Sequence, residues 1–295
     1  MTQPIYRGWT REKLDEQLNL RARLPEHAEF FERWARDSRT VRERTTALVD
    51  LAYGESPGER LDLFPAAGRD KAPLVAFIHG GYWQSLDKSD FSYLAPAFLE
   101  RGIAFASLNY DLAPKADIAT MVAQIRAAVA WLYRRAGERG IDRERIFVAG
   151  HSAGGHLAVT ALDRAWPQKE GLPPDLVKGA LSISGIYDLE PIRLSYHQAV
   201  MRIDEEQVAA YSPLRALPQA AGPLLAGVGS EETEEFLLQQ RELLDVWRSA
   251  GLTGSRVELP GRHHFDAVDA LGEPDHPLFA ALHAMVHADP GPTAA

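Results

Sequence analysis

Cysteine is absent from the 295-residue chain. That excludes a disulfide framework, a thiolate zinc site and a cysteine nucleophile. Covalent chemistry must therefore fall to Ser, Thr, Lys, Asp or Glu. The chain also has no apolar run of the ~20 residues that a membrane helix needs. Its N-terminus, MTQPIYRGWTREKLDEQ, mixes acids with arginines and has no apolar core of a signal peptide. Positive charge is in deficit, with 32 Lys and Arg against 41 Asp and Glu and a net charge of −9. Phosphate binding needs concentrated Lys and Arg, so nucleic acid is excluded as the main partner. These absences lead to the expectation of a soluble, cytoplasmic protein acting on a small molecule, without a membrane partner. Nothing in the residues reports the oligomeric state.

What is present is an alternation. Short apolar runs at 60–65, 73–79, 103–109, 145–150, 179–184, 223–229 and 255–260 read as strands. Several are apolar throughout, as in strands buried on both faces of a parallel sheet. Helical patterns lie between them. The clearest is 117–137, where Met121, Ile125, Val129 and Leu132 share one face. The alternation predicts βαβ units, hence an α/β fold with a mostly parallel, doubly wound sheet. Residues 1–45 are charged and helix-prone, with scattered apolar anchors such as Trp9, Leu14, Phe31 and Trp34. They read as a helical arm lying on a core at 46–287. The Pro-bearing stretch 185–222 breaks the alternation and reads as a partial cap over a site. Residues 288–295, ADPGPTAA, read as a disordered tail.

Within this frame Gly150-His151-Ser152-Ala153-Gly154 forms a G-x-S-x-G. From ordinary Gly and Ser usage about 0.1 matches arise by chance in a chain this long, so context has to decide. The motif follows the apolar run RIFVAG and precedes HLAVTALDRAW, the strand–turn–helix setting of a nucleophile elbow. The alternative is a Gly-rich turn without chemistry. As nucleophile, Ser152 needs two N–H donors for the developing oxyanion. One is the amide of the following residue, Ala153. The other is expected from His79-Gly80-Gly81-Tyr82-Trp83 after an earlier strand, at Gly81 or Tyr82.

A hydrolase of this kind places its acid and then its histidine after the serine. Of ten histidines, His264 follows the last strand and is the expected base, with His263 second. His151 and His156 stand too close to Ser152 in sequence and read as structural. His276, His283 and His287 read as surface residues of a final helix. The acid belongs in Ser230-Glu231-Glu232-Thr233-Glu234-Glu235, and Glu232 is favoured over Glu231. The other glutamates read as a solvated helix start, where acids are favourable. No ligand set for a metal is present; His263 and His264 are adjacent and would point apart on a strand. No cofactor is expected.

HGGYWQS (79–85), NYDLAPK (109–115), GHSAGGHLA (150–158), SGIYDLEPI (184–192) and HFD (264–266) together resemble the kynurenine formamidase (arylformamidase) family of α/β hydrolases, from about residue 59 to 286. The resemblance implies Ser152 as nucleophile and His264 as base. It aligns the family's acid with Glu232, where the family usually carries Asp. It implies hydrolysis of N-formylkynurenine to kynurenine and formate, a step of tryptophan breakdown. Tyr82, Trp83 and Tyr187 are candidates for an aromatic substrate wall, against the alternative of core packing. A carboxylesterase or aryl-amide hydrolase of different specificity would use the same machinery. A hydrolase-fold binding protein would have lost part of it.

Overall fold

The computed structural model describes residues 3–288. The tail expected at 288–295 lies, from 289 onward, outside the described residues. Eight strands form one sheet: β1 (Leu48–Ala52), β2 (Arg60–Phe64), β3 (Ala72–Ile78), β4 (Ala104–Leu108), β5 (Ile141–His151), β6 (Val177–Ile183), β7 (Leu224–Gly229) and β8 (Gly254–Leu259). Their order is β1-β2-β4-β3-β5-β6-β7-β8. The pairs β1–β2 and β2–β4 are antiparallel, and β4 through β8 run parallel. All seven runs expected as strands are strands. The eighth, β1, is not among the expected runs: LVDLA is interrupted by Asp50 and lies at the sheet edge with both faces partly exposed. By contrast, every residue of β3 and β4 is buried, which accounts for their apolar sequence, interrupted only by Ser107 of β4.

The helix expected at 117–137 spans Ile118–Arg135. Asp117 caps it, accepting from the Thr120 amide at 2.8 Å. Its buried face includes Met121, Ile125, Val129 and Leu132.

Sheet order sets where a site can form. β3 and β5 are neighbours, yet β4 and the helix Ile118–Arg135 separate them in sequence. Ile78 lies opposite Gly150 in this pair. The loops that follow the two strands therefore leave the same sheet edge side by side. This is the position at which open α/β sheets form their ligand crevice.

Residues ahead of β1 form helices at Arg11–Leu18, Leu20–Arg23 and His27–Arg44. Leu14, Leu18, Leu20 and Trp34 are buried in the core. Polar contacts fasten the segment further. The Tyr6 hydroxyl donates to Glu235 at 3.0 Å, and Arg7 pairs with the same carboxylate at 3.0 Å. Thr233 donates to the Gln17 carbonyl at 2.9 Å. Glu235 thus departs from the expected solvated helix start. Its buried carboxylate is the arm's anchor, held by Arg7, Tyr6 and Gln239.

Candidate active site

β5 ends at His151, and the helix Ala153–Ala161 begins one residue after Ser152. Ser152 joins them at φ 56° and ψ −120°, a conformation L-residues rarely adopt. The turn is tight because both flanking glycines are closely approached. A methyl on Gly154 would overlap the Ile78 carbonyl, and one on Gly150 would overlap the Gly154 carbonyl. The Ser152 amide is tied back to the Ile183 carbonyl of β6 at 2.8 Å. Strand pairing and glycine packing together fix the serine at the sheet edge.

The loop after β3 meets this turn. A Cβ on Gly80 would stand 2.8 Å from the His151 carbonyl, so only glycine lets the two loops touch. Gly81, Tyr82 and Trp83 follow at φ 102°, 51° and 56°. Three successive residues thus take left-handed φ values. No acceptor among the described residues takes the amides of Gly81, Tyr82 or Ala153, which leaves all three free for an oxyanion.

The carboxylate and imidazole expected as acid and base come from the far half of the sheet. His264 lies beyond β8, and its Nδ1 donates to Glu232 Oε2 at 2.7 Å. Glu232 follows β7 by three residues, and its side chain is completely buried. Its other oxygen, Oε1, accepts from the Gly229 amide at 2.9 Å and from the Ser184 hydroxyl. The His264 ring packs between Phe236 and His151, with ring centroids at 4.8 Å and 4.7 Å. Glu231 is exposed and makes only a long contact with Ser230. His263 turns elsewhere: its Nδ1 accepts from the Phe265 amide at 3.1 Å and its ring packs edge-on to Phe30.

His151 is buried, and its Nε2 donates to the His264 carbonyl at 2.9 Å. Burial, aided by neighbouring His264, pushes its pKa well below the ordinary value. It is therefore a neutral brace under the loop that carries His264. His156 bonds the Tyr211 carbonyl at 2.7 Å, and burial lowers its pKa to about 4. Both match the structural role expected of them.

Ser152, Gly81, His151 and His264 line one pocket. Its apolar wall is Leu20, Phe31, Trp34, Tyr82, Leu86 and Phe265, and Arg21 stands among them. The free space is about 30 Å³, room for one or two waters. Four lining residues, Leu20, Arg21, Phe31 and Trp34, come from the N-terminal arm. None comes from 185–222. The covering role expected of that stretch belongs to the arm instead. The stretch supports the pocket from behind, where the His197 ring stacks on Tyr82 at 4.0 Å.

Two of the three aromatic candidates are corrected. Trp83 is fully buried and packs edge-on to His156 at 5.2 Å. Tyr187 is fully buried, and its hydroxyl pairs with Ser182 at 2.8 Å. Both are core residues, and only Tyr82 lines the pocket. Its hydroxyl donates to the Leu18 carbonyl at 2.8 Å, tying the wall to the arm. Among the described residues, no group of three or more His, Cys, Asp or Glu is placed to hold a metal. No described helix is long and apolar enough to cross a membrane.

Ser184 was not singled out from sequence. It lies just past β6 at φ 52°, and its place at the head of SGIYDLEPI was the available signal. A hydrogen bond to a charged group contributes about 1.5–3 kcal/mol. Ser184→Ala is therefore expected to lower kcat by about tenfold, the lower end of that range, because the Gly229 amide still holds Glu232. Steady-state kinetics at several pH values test this. An unchanged kcat would assign the positioning of Glu232 to Gly229 alone.

Known proteins resemble the chain over most of its length. The BD-FAE family model matches residues 61–169. Kynurenine formamidase of Danio rerio is 34% identical over 252 residues, 83% of this chain and 84% of that protein. Kynurenine formamidase of Salmo salar is 31% identical, covering 81% and 82%. A crystal structure from Silicibacter sp. TM1040, provisionally assigned as a thioesterase, superposes with a TM-score of 0.81 at 31% identity, covering 94% of this chain and 99% of that one. The fold is that of the α/β hydrolases, and the coarse activity is a formamidase- or esterase-type hydrolysis. The chain belongs to the kynurenine formamidase family.

Proposed function

We propose that the protein hydrolyses the N-formyl group of an aryl amine through Ser152, and that N-formylkynurenine is its substrate, giving kynurenine and formate. The observation that carries the mechanism is the buried His264–Glu232 pair at 2.7 Å, which opens on the pocket that holds Ser152. His264 takes the hydroxyl proton as Ser152 attacks the formyl carbon. The amides of Ala153 and of Gly81 or Tyr82 receive the oxyanion. The imidazolium, stabilised by Glu232, protonates the departing aryl amine. Water, deprotonated by His264, then releases formate and restores the serine. The leaving group's ring would rest on the wall of Phe31, Trp34 and Tyr82, which requires the arm to shift outward from the 30 Å³ space.

Relatives named as kynurenine formamidases, from two fish at 31–34% identity, support the substrate. A substrate panel tests it: N-formylkynurenine, formanilide, and short and long aryl esters. The expected result is a kcat/KM for N-formylkynurenine above that for every ester. Negligible formamide turnover beside strong ester cleavage would replace this reading with a carboxylesterase.

A further inference from the structure

Resting on the formamidase reading, we infer that Arg21 is the specificity residue that binds the carboxylate of the substrate's amino-acid side chain. The pocket that contains Ser152 is apolar and aromatic along its wall, and Arg21 is its only charged lining residue apart from the catalytic histidine. No carboxylate lines it, since Glu232 is sealed behind His264. A bound ligand therefore meets one fixed positive charge and no negative one.

The guanidinium is also free to receive an anion. Among the described residues, Arg21 makes no ion pair with Asp or Glu. Its recorded hydrogen bond is from Nη2 to the neutral Ser85 hydroxyl at 2.8 Å. Ser85 in turn donates to the Gly81 carbonyl at 3.2 Å, so the guanidinium is tied to the oxyanion loop. The guanidinium carbon stands 5.4 Å from the centre of the Phe31 ring, a cation–π contact between two lining residues of the pocket. A planar, tethered guanidinium with unused N–H groups suits a carboxylate. In N-formylkynurenine the formamide and the acyl chain that ends in the amino-acid carboxylate stand on adjacent ring carbons, and the length of that chain carries the carboxylate several bonds away from the formyl group. With the formyl carbon at Ser152 and the ring on the aromatic wall, the carboxylate reaches the pocket's outer edge. Arg21 occupies that edge: the residue is exposed to solvent while still lining the site.

The test compares paired substrates in wild type, Arg21→Gln and Arg21→Lys. One pair is N-formylkynurenine and formanilide. The other is an aryl acetate with and without a side-chain carboxylate. For Arg21→Gln the ratio of kcat/KM between charged and neutral members is expected to fall about tenfold in each pair, mostly through KM. Arg21→Lys should recover part of the loss. A ratio within about twofold of wild type in both pairs overturns the inference, including the case where both members weaken equally because the arm has loosened. The ester pair keeps the two proposals distinguishable. If wild type cleaves no formamide, the formamidase reading fails, and the ester ratio still decides the role of Arg21.

Discussion

Ser152→Ala is expected to remove essentially all turnover, a loss of about 10⁵-fold or more, by comparison with the removal of a nucleophile from other serine hydrolases. The fold should survive. Alanine keeps the Cβ and deletes only the hydroxyl, and the backbone of residue 152 is held by β6 and the flanking glycines rather than by that oxygen. The melting temperature should stay within about 2 °C, the scale of a substitution that disturbs no packing. A fluorophosphonate probe should add its mass to the Ser152 peptide of wild type and leave the variant unlabelled. Activity retained in the variant would refute the assignment of the nucleophile, whatever the substrate proves to be.

Glu232→Gln is expected to lower kcat by about 10³–10⁴-fold, as loss of the triad carboxylate does elsewhere. The reason is a tautomer. The side chain has three fixed partners: the Gly229 amide and Ser184 hydroxyl on Oε1, and His264 Nδ1 on Oε2. A glutamine can satisfy the first two with its carbonyl, which turns its NH2 toward His264. Nδ1 must then accept, so the ring's proton moves to Nε2, the nitrogen that has to take the proton of Ser152. Glu231→Gln, on the exposed neighbour, should leave kcat within about twofold. The reverse pattern would move the acid to Glu231. The same three partners account for a glutamate serving at this position. One more rotatable bond than aspartate would loosen a free side chain. Complete burial and three hydrogen bonds take that freedom away.

The placement of Ser152, Glu232 and His264 near one sheet edge was legible because it depends on local constraints. An elbow needs glycines within two residues of its serine, and the strand end that leads into it, Ile146–Ala149, is apolar and buried, so Ser152 and the sheet announce themselves in linear order. The loop at Gly80–Tyr82 and the late position of His264 follow from the same strand order. Preference for Glu232 over Glu231 came from spacing after β7, and burial separates the two far more sharply than spacing does.

The walls of the pocket were not legible, and the errors share one cause. Trp83 and Tyr187 sit in motifs beside the site, but which way an aromatic ring turns is set by neighbours distant in sequence, here His156 and Ser182. The covering element was misplaced for the same reason. A proline-rich insertion at 185–222 had the composition of a cap, whereas the charged arm offered only scattered apolar residues. Those residues close the pocket because Glu235, buried 229 residues from Tyr6, fastens the arm across the sheet edge. Sequence by itself therefore determined the fold class and the chain order of Ser152, Glu232 and His264, since backbone sterics and hydrophobic periodicity act over a few residues. Only the tertiary structure decided what surrounds those groups, including the charge of Arg21 at the rim, because packing and ion pairing join segments that chain order keeps apart.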